Sequence, residues 1–513
     1  MSQQTDQLIQ LIQSLSKAEK KSFRIYANRN NSAGDQLYMQ LFDYIDGCKT
    51  FHETELLKKI PQIKKAQLSN IKANLTKQIL ANLRLLHKNE NIDINIREML
   101  DYTELLQSKG MTIAALDMLE KARKLAKSHQ KAILRYEILD TERKIETQYI
   151  TGSSAKKALE INVNSDKLLK KVQLLDQLSN LSLMIYGMYL KYGYVRNQRD
   201  YEQVRDFFFS NLPDVKPEKI GLYEKIYYFQ SNVWFYHMTQ DFVNYYKYSQ
   251  KWVDVFREHT FLIKDDPILY LKGVHNALNA LYMANKRDRF QHFFSLYCEH
   301  ETLYGDKMSV NHASSYFLFK YVHLLNGIFL KGNYEQGVKD ILPLTQTLDS
   351  AIYQWDTNRV MVFYYKIACV YFGADDYDRA LTYLNKINHS PIGGLREDIQ
   401  CFARILSLIS HYELGNEFLL KYQIKSVYRF LSKMEELQAV QKEILGFIRR
   451  TPEMNRKHIM QEFVQIRAKL VKYQSDPYER RPFLYLDIIA WLDSKIEKKR
   501  IQDVIKANIT KSE

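Results

Sequence analysis

The chain has 513 residues, 46% of them hydrophobic, and a formal net charge of +15. That apolar share excludes a disordered chain, and 17 glycines with 9 prolines are too few for a β-fold built on tight turns, so helices are expected. The excess charge sits at the two ends, with 14 basic against 8 acidic residues in 1–90 and 16 against 10 in 441–513, which favours solubility and a general attraction to polyanions.

Residues 1–90 read as a basic helical domain of three or four helices. Leu8, Ile9, Ile12, Leu15 and Phe23 form an amphipathic start, a polar loop covers 28–35, and 64–86 is a long helix candidate. From 91 to 440 the helical period runs on, broken at Gly110, near Arg199, near Gln240, near Lys286, and at Gly332, Asp375 and Gly415. The first gap is wide, and a further helix pair turning near Gly152, Ser153 and Ser154 would fill it. The other breaks recur about every 40–46 residues, room for two helices of about four turns each with short loops. Within YFGADDYDRALTYLNKINHSP (371–391), Tyr377, Ala380, Leu384 and Ile387 make one apolar stripe, matched by Tyr364, Ile367, Ala368 and Tyr371 on the preceding helix. Asp375 and Asp376 are expected to cap the second helix and Pro391 to end it. Ala380 is small because two helices must approach closely there. Residues 441–513 read as capping helices: 435–447, 456–473 and 482–499 are the candidates. Trp491, with Leu484, Ile488, Ile489 and Leu492, would cover the last open edge.

Tyr364, Ile367–Ala368, Tyr371, Tyr377, Ala380, Leu384, Ile387 and Pro391 follow an order that resembles the tetratricopeptide repeat (TPR). A second match runs through Tyr321, Leu324, Ile328, Gly332, Tyr334, Gly337 and Ile341. A third uses Leu106, Gly110, Ala115, Leu119 and Ala122, and a fourth Leu408, Tyr412 and Gly415. Val204 and Tyr245 stand where the resemblance would put alanine, and the period is longer than the family's, so the likeness is to a degenerate, long-period relative. It implies an all-α fold, a right-handed α-solenoid of stacked antiparallel helical hairpins with extra helical segments at both ends. Gly110, Ala115, Gly332, Gly337, Tyr377 and Ala380 would be its repeat-packing positions. It also implies a concave groove lined by Phe319, Val322, Asn326 and Phe329 in one unit and by Val362, Tyr365, Cys369 and Phe372 in the next. The family's carboxylate-clamp groove needs lysine and asparagine at set places. Asn326 fits one of these, while Val322 and His323 occupy others, so an apolar peptide or a partner helix is the expected ligand.

The chain contains no GxxxxGK[ST] phosphate loop, no GxSxG elbow, no kinase set and no HExxH, so neither catalysis nor a metal or cofactor is expected. Cys48, Cys298, Cys369 and Cys401 form no CxxC pair, which fits reduced thiols in a cytoplasm. The first 25 residues lack an apolar secretory core, and no apolar run reaches 18 residues, so no membrane span is expected. The aromatic run 221–252, with Tyr223, Tyr227, Trp234 and Tyr245, suits core packing or groove anchors. Two functions fit. One is a scaffold or adaptor that binds a protein or peptide in the groove. The other is a DNA-binding regulator in which 51–84 forms a helix-turn-helix-like unit, with Lys64, Lys65, Lys72, Lys77 and Arg84 for phosphates. That second arrangement is similar to peptide-sensing bacterial regulators that join a helix-turn-helix to such repeats.

Overall fold

A computed structural model describes the chain except residues 1–6, 30–34, 49–50, 149–154, 351, 390–396, 432–438, 451–455, 475, 477, 480–482, 484–486 and 513. The described residues contain 26 α-helices, two short 3-10 turns (Pro217–Lys219 and Gly305–Lys307) and no strand. The chain divides into two compact units, Met1–Val172 and Gln173–Glu513. Pro391, Gly152, Ser153, Ser154 and Leu484 fall outside the described residues.

The first unit contains α1 (Gln7–Ser14), α2 (Lys17–Arg29), α3 (Asp35–Gly47), α4 (Glu53–Lys59), α5 (Lys65–His87), α6 (Ile92–Ser108), α7 (Thr112–Ser128), α8 (Ala132–Gln148) and the start of α9 (Ala155–Tyr192). The expected amphipathic start is buried at all five positions, in one core with Phe42, Leu75 and Ile79. Five helices occupy 1–90 rather than three or four. One reason lies at Ser16 and Glu19, which form a reciprocal capping box: the Ser16 amide donates to Glu19 Oε2 at 2.7 Å and the Glu19 amide to Ser16 Oγ at 3.2 Å. Such a box starts a fresh helix and splits α1 from α2. A second core joins Ile96 and Leu100 of α6 to Ala115, Leu119, Ala122 and Ala126 of α7 and to Leu134 and Ile138 of α8.

The second unit continues with α10 (Gln198–Asn211), α11 (Leu222–Met238), α12 (Phe242–Glu258), α13 (Phe261–Asp265), α14 (Pro267–Met283), α15 (Arg287–Tyr304), α16 (Val310–Lys331), α17 (Tyr334–Asp340), α18 (Leu342–Ser350), α19 (Thr357–Gly373), α20 (Tyr377–Asn388), α21 (Glu397–Glu413) and α22 (Glu417–Leu431). It ends with α23 (Ala439–Arg450), α24 (Arg456–Val471), α25 (Ile488–Glu497) and α26 (Ile501–Ser512). Helices adjacent or up to three places apart in the chain pack on one another: α11 on α12, α12 on α14, α14 on α16, α16 on α19, α19 on α20, and α20 on α21.

One device ends the first helix of several pairs. Gly110, Gln130, Gln240, Asn285, Asp375 and Gly415 are left-handed, with φ between 52° and 72°. Across each of them the next residue's amide donates five residues back: Met111 to Leu106, Lys131 to Ala126, Asp241 to Tyr236, Lys286 to Leu281, Asp376 to Tyr371, and Asn416 to His411, at 2.9–3.0 Å. This Schellman closure satisfies the orphan carbonyls and reverses the chain. Four of these residues are not glycine, which a search for Gly-containing breaks underweights. Asp375 departs from its expected role. Asp376 alone is the N-cap of α20, accepting from the Arg379 amide at 3.1 Å, while Asp375 is the left-handed turn residue. The Asp375 carboxylate accepts from Tyr377 Oη at 3.1 Å and from Arg500 Nε at 2.8 Å.

Gly110 departs from its expected packing role, since a Cβ there would meet no atom within 4 Å and the residue serves the left-handed turn instead, whereas the other packing positions make close contacts. Ala115, Ala380, Leu384, Ile387, Ile367 and Ala368 are fully buried, and Tyr377 is half-buried. A Cβ on Gly337 would lie 2.6 Å from Ile328 Cγ2, so α17 reaches α16 only because that residue is glycine. Tyr245 fills the place of an expected alanine and satisfies its hydroxyl by donating to Asn276 Oδ1 at 2.9 Å and accepting from Asn279 Nδ2 at 3.2 Å. Val204 is likewise buried.

Trp491 is buried among Tyr412, Phe447 and Phe463, and its Nε1 donates to Glu413 Oε1 at 2.6 Å. The C-terminal segment also runs back along earlier turns. Tyr478 Oη donates to Gln198 Oε1 at 3.2 Å, Arg500 reaches Glu335 and Asp375, and Arg287 Nη1 donates to the Ile509 carbonyl at 3.5 Å.

Candidate partner-binding face

The turn residues set a register for the side chains ahead of them. Thirteen, ten, six and three residues before Gly332 stand Phe319, Val322, Asn326 and Phe329; the same steps before Asp375 give Val362, Tyr365, Cys369 and Phe372. These are the eight positions expected at the groove. Phe319, Val322, Phe329 and Val362 are half-buried and reach solvent. Asn326, Tyr365, Cys369 and Phe372 are buried. Burial pushes the Cys369 thiol up to about 12, which marks a packed sulfur, not a reactive one.

The same register identifies two further rows that sequence reasoning missed. Counting back from Asn285 gives Lys272, His275, Asn279 and Tyr282 on α14; from Gln240 it gives Tyr227, Gln230, Trp234 and His237 on α11. The signal was present in the spacing, but it needs the left-handed asparagine and glutamine to be known as turn residues. Side contacts join the rows. The His275 ring stacks on Phe319 at 4.2 Å, and His275 Nδ1 meets His323 Nε2 at 2.9 Å. Lys366 donates to Asn326 Oδ1, and its ammonium lies 5.4 Å from the Tyr282 ring centre and 5.6 Å from that of Phe329. Lys272 is exposed to solvent, yet its pKa is lowered, first by burial and then by the Arg359 charge.

Four histidines of the second unit form two hydrogen-bonded pairs. Burial, then Lys366 and Arg359, holds His275 down to about 3, and burial, then His275 and Lys366, holds its partner His323 well below the ordinary range. His300 Nε2 meets His312 Nε2 at 2.9 Å; burial and then His312 lower His300 to about 4, and burial lowers His312. These rings are neutral core groups near neutral pH. Among the described residues no group of three or more His, Cys, Asp or Glu is arranged to hold a metal ion.

The aromatic run 221–252 divides between core and face. Phe229, Tyr245 and Trp252 are core, whereas Trp234 is half-buried and lies 4.5 Å from Tyr186 and 5.7 Å from Tyr189.

The five cations proposed for phosphates do not share one surface. Lys64 precedes α5 and Lys65 opens it. Lys77 and Arg84 stand on the outer side of α5, while Lys72 is turned away from them by roughly 120–140°. Lys72 lies 4.6 Å from the Phe51 ring centre, and Arg84 is ion-paired with Asp101. The structure therefore brings together Lys77 and Arg84 but not the full set.

A cleft of about 350 Å³ opens at the turn end of the rows. Tyr282, Phe329 and Phe372, each three residues before its turn, line it together with Cys369 and Tyr334. Its far wall is Ile501, Ile505, Asn508 and Ile509 of α26, with Asp487 at the start of α25. Burial raises the Asp487 carboxyl, partly opposed by the Ala490 amide that it caps at 2.9 Å.

No helix among the described residues is long and apolar enough to cross a membrane. Comparison with known protein families, curated proteins and solved structures finds no match to this chain.

Proposed function

We propose that this chain is a non-catalytic interaction scaffold that holds a peptide or a partner helix. The binding surface is the trough formed by the first helices of a TPR-like, right-handed α-solenoid of antiparallel hairpins. The observation that carries this reading is the shared register of side chains ahead of the turns at Asn285, Gly332 and Asp375. The rows on α14, α16 and α19 touch laterally through His275 on Phe319 and through Lys366, which lies between register positions, and solvent reaches Lys272, Phe319, Val322, Phe329, Val362 and Lys366. Aromatic and aliphatic anchors flanked by cations suit an extended or helical segment with an apolar face.

The test is selection of random displayed peptides on the full chain, followed by affinity measurement on Val362→Asp and Lys366→Glu. Selected peptides are expected to lose about tenfold or more in affinity on both variants. Selection of peptides that bind both variants as tightly as the original chain would overturn the reading. The DNA-binding alternative gains no support from the spread of Lys64, Lys65, Lys72, Lys77 and Arg84.

A further inference from the structure

We propose that α26 is an in-cis occupant of a docking seat, and that the seat's external ligand is an amphipathic helix. That helix carries branched apolar residues at i, i+4 and i+8, with a basic residue just ahead of them. The proposal deepens the reading above and rests on it in taking this end of the rows as a binding surface.

The pattern is that of the present occupant. Ile501, Val504 and Ile505 are buried and Ile509 half-buried, Asp503 and Lys506 face outward, and Asn508 is exposed at the edge of the cleft. The seat is shaped for them. Gly332 is left-handed and bare, and a Cβ there would stand 2.7 Å from Ile505 Cγ2. Arg500, ahead of the helix, pairs with Glu335 at 2.6 Å and with Asp375 at 2.8 Å. Other features mark α26 as a replaceable filler. The Arg500 and Glu335 side chains are exposed and Asp375 is partly covered, and ion pairs this open to water add little holding energy. The cleft of about 350 Å³ remains between α26 and the aromatic floor, far more than a well-packed interface leaves. Lys498, left-handed at φ 54°, ends α25 and lets the chain turn into α26 as a separate segment. A foreign helix with a bulky apolar residue at the place of Asn508 would fill the cleft and outcompete α26.

The experiment is fluorescence anisotropy with a labelled peptide of residues 499–513, added to the full chain and to its Ile505→Asp variant. A tethered helix acts at roughly millimolar effective concentration, so releasing it should raise the peptide's apparent affinity by about a hundredfold. In the peptide, Asn508→Phe should tighten binding and Arg500→Glu should weaken it. Absence of saturable binding to an Ile505→Asp variant that melts like the original chain overturns the proposal, as does equal binding to both proteins. If the variant does not fold, hydrogen exchange on the original chain decides. Exchange in 501–512 at least about tenfold faster than in 488–497 supports a releasable helix; equal protection overturns it. Peptide binding here with no effect of Val362→Asp or Lys366→Glu on selected ligands leaves the seat standing and removes only the trough.

Discussion

Replacing Gly332 by alanine separates two effects at one position. The residue is left-handed at φ 62°, and the new methyl would lie 2.7 Å from Ile505 Cγ2 and 3.3 Å from Ile509 Cδ1. Left-handed geometry costs a non-glycine residue about 1–2 kcal/mol, and that strain is the same whether α26 is seated or not. The contact is different. Carbon atoms rest at about 3.5–4.0 Å, so α26 must retreat by roughly 1 Å, and overpacking of this kind costs about 1–3 kcal/mol. Only this second part changes the free energy of opening α26. Amide exchange in 501–512 should therefore accelerate by about 5- to 100-fold in Gly332→Ala. Gly415→Ala is the control: it has the same left-handed strain at φ 70° but nothing within 4 Å of the new Cβ. Global stability should fall in both variants, and exchange in 501–512 should change in the first alone. If the two variants leave 501–512 equally protected, Ile505 does not sit on Gly332 and the account of the seat fails.

Ala380→Arg forces a charge and six extra heavy atoms into a fully buried site on α20, which packs on α19 and α21. A loss of about 3–4 kcal/mol is expected in thermal unfolding, against about 1 kcal/mol for Ala380→Gly; similar losses would refute close helix approach there. The buried histidine pairs predict acid sensitivity. Their folded pKa values lie below the unfolded value of about 6.5, so the unfolded chain gains protons first. Stability should then fall as pH drops from about 6.5 towards the folded values of about 4 for His300 and about 3 for His275. A urea midpoint that is flat across that window would contradict this. His87 behaves oppositely. Burial alone would lower it, but hydrogen bonds to Glu90 and Glu19 raise it above its ordinary value. Its contribution is present below the unfolded pKa and is lost as pH rises through the folded one, so His87→Gln should destabilise the first unit at pH 6 more than at pH 9. Duplex DNA titrated across salt should show a shallow slope, since the α5 cations are dispersed; a steep slope lost on Lys77→Glu with Arg84→Glu would restore the DNA-binding alternative.

The sequence by itself determined the all-helical class and the location of most turns. Apolar stripes such as Tyr377, Ala380, Leu384 and Ile387 work through local periodicity, and Gly110, Gly332 and Gly415 are favoured where φ must be positive. These are short-range constraints, readable from neighbouring residues. Tertiary structure decided which members of a stripe reach water. Phe319 and Asn326 share a helix and a register, yet only Asn326 is fully buried, because a neighbouring helix covers it. It also decided that Asp375 turns the chain while Asp376 caps the helix, since carboxylates one residue apart have the same local propensity and Arg500 arrives from 125 residues away. The place of α26 is the clearest case. The spacing of Ile501, Ile505 and Ile509 suits an amphipathic helix that the C-terminal candidates 435–447, 456–473 and 482–499 do not include, and no local rule names Gly332 as its seat. That choice depends on the surface assembled by helices distant in sequence, and it exists only once the chain has folded.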